Sequence, residues 1–107
     1  MDNDQKKYIV IVDPVANDRL FEHFEFLGRV SWEAAERLII DLAKDMQSLE
    51  YMPYRNPVYA RPYLKVGKYR YMVSCKHYLI VYQVIDDKVY IDDIQDSRQG
   101  DDKALLQ

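Results

Sequence analysis

The sequence predicts an α+β domain: an N-terminal strand, an antiparallel helical hairpin, then a three- to four-stranded antiparallel sheet. Two observations carry this. Apolar residues recur every three or four positions in the first half, and every second position after Tyr63. The order, one strand, two helices, then a run of strands, places helices on one face of a twisted sheet. At 107 residues the chain is the size of one domain, residues 1–107.

The elements follow in order. Tyr8 to Val12 is a short β-branched run and reads as a strand. Asp13 and Pro14 stop it and suit a helix start, Asp as acceptor for free N–H groups and Pro at the first turn. The spacing predicts a helix from Pro14 to Leu27 with Ala16, Leu20, Phe24 and Leu27 as its apolar stripe, ended by Gly28. Ser31 caps a second helix, Trp32 to Glu50, whose stripe is Ala35, Leu38, Leu42, Met46 and Leu49. Pro53, Pro57 and Pro62 keep the next stretch irregular. Tyr69–Ser74 and His77–Ile85 then read as strands. The second is apolar on both faces, which predicts an inner position. Asp86-Asp87 makes a turn into a strand from Lys88 to Ile94. Asp92 and Asp93 alternate on it and read as an acidic edge strand that resists aggregation. Asp101 to Gln107 is expected to form a last helical turn.

Charge is unevenly placed. The formal net charge is −3 and the pI about 5.3. Yet Tyr51 to Ile85 holds no Asp or Glu, while carrying Arg55, Arg61, Lys65, Lys68, Arg70, Lys76, His77 and eight of the ten tyrosines. All eighteen acids lie outside it. A basic, aromatic surface on an acidic protein is the expectation. Several chemistries are excluded. Three glycines form no phosphate loop. One cysteine and two distant histidines, His23 and His77, give no metal-ligand spacing, so no metal or cofactor is expected. Cys75 alone forms no intrachain disulfide, which suits a reducing cytoplasm. No apolar run approaches membrane-spanning length and the N-terminus is charged, so a soluble cytoplasmic protein is expected.

Within this order, the stretch Lys76-His77-Tyr78-Leu79-Ile80-Val81-Tyr82-Gln83-Val84-Ile85-Asp86-Asp87-Lys88-Val89-Tyr90-Ile91 resembles the central hairpin of RelE/ParE superfamily toxins, the plasmid stabilisation family. There an apolar "VYQV" strand leads through an acidic turn into a "VYI" strand. Tyr69-Arg70-Tyr71-Met72-Val73 is similar to the family's preceding strand. Asp96-Ser97-Arg98-Gln99-Gly100-Asp101 resembles its "GxRxD" ending, and Ser31-Trp32-Glu33-Ala34-Ala35-Glu36-Arg37 its "SPEAAERF" helix. The first strand and Pro14 fit its "FSPEA" entry. The resemblance runs from Tyr8 to Leu106. It implies the toxin of a type II toxin–antitoxin pair, arresting growth when free of a cognate antitoxin that wraps its helices and sheet. Such a partner needs exposed apolar surface, for which Phe21, Phe26, Trp32 and Ile39 are expected to serve.

Three activities fit the resemblance. A ParE-like toxin binds DNA gyrase and needs no catalytic set; this is the preferred reading. A RelE-like toxin cleaves messenger RNA on the ribosome, which needs a base, an acid and cations around the phosphate. Arg70, His77 and Arg98 are the catalytic residues that reading would use. His77 stands where the family has Gly, and Leu79 replaces its arginine, removing a cation from the transition state. Lys65, Lys68 and Lys76, with Tyr69 and Tyr78, are the expected binding residues, the amines for phosphate and the rings for stacking on bases. The third reading is an inactive toxin fold kept as a binding module.

Overall fold

The computed structural model describes residues 6–98. It contains β1 (Ile9–Val12), α1 (Pro14–Gly28), α2 (Trp32–Ser48), β2 (Arg70–Ser74), β3 (Tyr78–Ile85) and β4 (Lys88–Asp96), with a 3-10 turn at Pro53–Arg55. The expected last helical turn, from Asp101 to Gln107, lies outside the described residues.

Both helix starts are set by side-chain caps. Asp13 Oδ1 accepts from the Val15 amide at 2.9 Å, and Ser31 Oγ from the Ala34 amide at 3.1 Å. Each satisfies one N–H that has no partner within the helix. The end of α2 is closed by a residue from outside it. Arg55 donates to the carbonyls of Ser48, Tyr51 and Met52 and to Ser48 Oγ. A guanidinium there meets both the free carbonyls and the negative end of the helix dipole.

β2, β3 and β4 form the expected antiparallel meander. β1 joins as a fourth strand, parallel to β4, so the sheet is mixed, in the order β1-β4-β3-β2. β3 is inner, as its two apolar faces predict. β4 is inner too, which corrects the reading of Asp92 and Asp93 as an acidic edge. A four-residue first strand gives no local signal of its partner, and that partner is what covers β4. At Asp92 the ladder slips: Val81 pairs with Asp93 and Tyr82 with Ile91, leaving Asp92 as the extra residue of a bulge.

The main core lies between the helices and the sheet. Leu38, Leu42, Met46 and Leu49 of the α2 stripe meet Tyr78, Ile80, Tyr82, Val89, Ile91 and Ile94. Fully burying each large aliphatic side chain contributes roughly 1.5–3 kcal/mol. α1 is rotated from the expected stripe. Its buried residues are Ala16, Arg19 and His23, with Leu20 and Leu27 partly buried. A second, smaller cluster lies under the segment that follows α2: Tyr59, Leu64 and Tyr69 pack on Val81, with Tyr71 and Leu79 at the margin. That segment also covers half of the β2 edge, through Tyr59 N to Tyr69 O at 2.8 Å and Tyr71 N to Pro57 O at 3.1 Å.

Candidate functional site

The sequence-predicted residues fall in three places along one edge of the sheet. The first is the tip where β2 turns into β3. Cys75 and Lys76 both have positive φ, 52° and 69°. Three residues, Cys75 to His77, join the paired Ser74 and Tyr78, and two consecutive left-handed residues without glycine or asparagine carry local strain. The turn holds Lys76 and His77 exposed. The tip is fastened to β4 by Ser97 N donating to His77 O at 2.7 Å. Ser74, Tyr78 and Asp96 stand in register across the three strands, so Arg98 comes close to the tip.

Arg98 is held there by a fork of two bonds to Asp96, Nε to Oδ1 at 2.9 Å and Nη2 to Oδ2 at 2.8 Å. The Arg98 hydrogen bonds hold the Asp96 carboxyl below its usual range, against the opposing effect of burial. Tyr78 lies beside this pair. Its hydroxyl is pushed up, first by burial and then by the Asp96 charge, with Arg98 opposing. It is a neutral phenol at pH 7. On its other side His23 stands edge-on at 5.2 Å between ring centroids. His23 Nε2 lies 2.8 Å from the carbonyl of Ile94. A carbonyl only accepts, so the proton sits on Nε2.

The second place is Arg70, at the opposite end of β2. It pairs with Tyr82, four residues from the tip pair Ser74–Tyr78, a separation of roughly 13 Å at the strand rise. Its Nη1 donates to Asn56 O at 2.6 Å and Tyr54 O at 3.4 Å, and the guanidinium lies 5.1 Å from the Tyr54 ring centre. The structure therefore brings His77 and Arg98 to one end of the sheet and leaves Arg70 at the other.

The third place is the turn Lys65–Lys68, closed by Lys68 N to Lys65 O at 3.2 Å with Gly67 at φ 77°. That φ is the left-handed value a type II turn requires at its third residue, where glycine is favoured. Both lysines and Val66 line an open hollow of about 530 Å³ with Gln83 and Val84. Val66 is 97% exposed.

Two expected stacking residues are corrected by burial. Tyr69 and Tyr78 are 4% and 6% exposed and belong to the two apolar clusters, so their faces do not reach a base. On strands apolar on both sides, alternation did not reveal which tyrosines turn inward. The expected apolar docking residues fare differently. Phe21, Phe26 and Trp32 are exposed on the helical hairpin, as is Ile40, while Ile39 is half-buried. Leu20, Phe21, Phe24 and Ile39 line a shallow groove of about 280 Å³.

One buried polar group was missed. Arg19 of α1 places Nε 3.7 Å from Asp93 Oδ1, with the two side chains 8% and 0% exposed. Asp93 also accepts from the Ile94 amide and from Gln95 Nε2, and Gln95 Oε1 accepts from the Tyr59 hydroxyl at 3.0 Å. The available signal was an arginine and a histidine, Arg19 and His23, four apart and in helical phase with Ala16. Among the described residues no group of three or more His, Cys, Asp or Glu is placed to hold a metal, and no helix is long and apolar enough to cross a membrane.

Comparison with known proteins joins this geometry to a family. Residues 10–100 match the model of the ParE toxin of the type II toxin–antitoxin system parDE. Among curated proteins none matches. A chain in a structure of the chromosomal ParDE TA system from P. aeruginosa is similar in fold, with a TM-score of 0.68 at 14% identity, over 85% of this chain and 97% of that one. The family match spans the first strand, the hairpin of helices and the whole meander, and on that span the chain belongs to the ParE toxin family of type II toxin–antitoxin systems.

Proposed function

We propose that this chain arrests growth by binding DNA gyrase, with no catalytic step of its own, and that a cognate antitoxin holds it inactive. The observation that carries the gyrase-directed reading is the dispersal of the cations that RNA cleavage would use. Attack by a ribose hydroxyl needs base, acid and cation within about 3 Å of one phosphate. Here Arg70 stands at the far end of β2, Arg98 is paired with Asp96, and Leu79 stands where the resemblance to the superfamily implies an arginine. A binding mechanism asks only for a surface. The antitoxin reading rests on Phe21, Phe26, Trp32 and Ile40, which leave large apolar side chains of both helices in water.

The test is induced expression in a bacterial host lacking antitoxin, together with supercoiling by purified gyrase in the presence of the protein. Growth arrest with a DNA-damage response, intact transcripts and inhibited supercoiling is the expected result. Arrest with new transcript ends inside translated codons and unaffected gyrase would overturn it in favour of a ribosome-dependent ribonuclease. Absence of arrest would leave an inactive binding module.

A further inference from the structure

Charge is distributed along the chain in a way the gyrase-directed reading does not use, although Asp45 reaches Ser74 at the tip end and Asp92 lies near Lys68. The stretch 14–48, which contains both helices, carries seven acids and four bases. Residues 51–85 carry six Lys or Arg and no acid. The structure sorts those six. Arg55 closes α2, Arg70 donates to the carbonyls of Asn56 and Tyr54, and Arg61 donates to Ala60 O and lies 4.2 Å from the Tyr59 ring centre. Carbonyls and ring faces orient a guanidinium without cancelling its charge. The three lysines, Lys65, Lys68 and Lys76, are exposed. They stand at the two ends of the β2 edge, the Lys65–Lys68 turn beyond Arg70 and the Lys76 tip beyond Ser74, so the charge is spread along a line longer than β2 itself.

We infer that this edge binds the phosphate backbone of duplex DNA, through Lys65 and Lys68 at one end and Lys76 at the other, with the guanidinium charges of Arg55, Arg61 and Arg70 adding to the field. The inference rests on the gyrase-directed reading only for its setting: a toxin that touches both gyrase and the DNA that gyrase holds. The DNA contact is a property of this chain alone. Two features favour a duplex. A line of separated cations fits a regular polyanion, whose axis carries a charge about every 1.7 Å. A single strand is held instead by aromatic faces, and here Tyr59, Tyr69, Tyr78 and Tyr82 are buried and Tyr71 half-buried. On β2 and β3 the rings are buried or half-buried, and the exposed rings of this stretch, Tyr51, Tyr54 and Tyr63, lie in the segment between α2 and the Lys65–Lys68 turn, so the β2 edge itself presents amines rather than rings.

The experiment is fluorescence anisotropy of a labelled 20-base-pair duplex and of an unpaired RNA of equal charge, titrated with the full chain without gyrase, between 50 and 200 mM salt. Three phosphate contacts predict a slope of log K against log salt of about −2.7, which is about 40-fold weaker binding across that range. The variant K65Q/K68Q/K76Q is expected to lose at least tenfold in affinity at 50 mM salt and most of the slope. R29Q, at an exposed arginine between the two helices, is expected to leave both unchanged. No duplex binding at 50 mM salt, equal binding by the triple variant, or preference for the unpaired RNA would each overturn the inference. Gyrase is absent from this assay, so its failure is distinct from failure of the supercoiling test.

Discussion

The two apolar clusters on opposite faces of the sheet are built by different rules. The larger one, under the helices, is made mostly of aliphatic side chains at regular spacing, Leu38, Leu42, Met46 and Leu49 against Ile80, Val89, Ile91 and Ile94, with Tyr78 and Tyr82 among them. The smaller one, under residues 56–69, is made mainly of tyrosines whose hydroxyls must be satisfied as the ring is buried. Tyr59 reaches Gln95, and Gln95 reaches Asp93. Across the sheet Tyr82 does the same, its hydroxyl donating to Pro53 O and accepting from Asn56 Nδ2. Burial of aliphatic side chains fixes most of the first cluster, with Tyr82 its hydrogen-bonded member. The second is pinned by hydrogen bonds to particular atoms.

Four substitutions break or sharpen that contrast. The largest effect is expected at the buried ion pair. Arg19→Met leaves the Asp93 carboxylate without its partner inside the protein and is expected to cost about 3–5 kcal/mol in urea unfolding; a loss under 1 kcal/mol would mean Asp93 is held by Gln95 and the Ile94 amide alone. Next, Leu42→Ala in the larger cluster is expected to cost about 2–5 kcal/mol, while Leu64→Ala falls at the bottom of that range because a loop relaxes into the space. Equal losses would erase the distinction between the clusters. Tyr59→Phe keeps the ring and removes one bond, leaving Gln95 Oε1 unsatisfied, for about 1–2 kcal/mol.

The smallest effects are in the titration of two aspartates on β4. Asp96 is lowered, first by its hydrogen bonds from Arg98. Its contribution is therefore present above the unfolded carboxylate value of about 3.9 and is lost as the pH falls through the lower folded value. Asp92 is raised, first by burial, with the Gln83 hydrogen bond opposing. Its contribution has the opposite sign: favourable below the unfolded value and lost as the pH rises through the folded one. Asp92→Asn is expected to add ~0.5 kcal/mol at pH 7 and nothing below pH 4, read from unfolding midpoints at the two pH values. A loss at pH 7 would show that the charge on Asp92 matters to the bulge.

These positions also show what a sequence discloses. The α2 stripe was legible because aliphatic residues at helical spacing have one physical use. So was the inner position of β3. Arg19 and His23 were not, because a polar residue on a buried face is recognised only through its partner, and Asp93 and Ile94 lie more than seventy residues away. Asp92 and Asp93 looked like an edge because the strand that covers β4 comes from the other end of the chain. Of the candidate site, Lys65, Lys68, Lys76 and His77 were placed outside as expected. Tyr69 and Tyr78 were not, since a strand apolar on both sides hides which ring faces inward. The dispersal of Arg70 from Arg98 depends on strand register, which residue types alone do not specify.

The parallel pairing of β1 with β4 has a consequence in time. Ile9 meets Lys88, 79 positions later in the chain (88 − 9). At about 5–20 residues per second the ribosome takes roughly 4–16 s to travel that distance. Through that interval the first strand has been made and its neighbour has not. The sheet is completed only after β4 has emerged, so a copy synthesised short of Lys88 lacks the finished surface that a partner of the folded domain would meet.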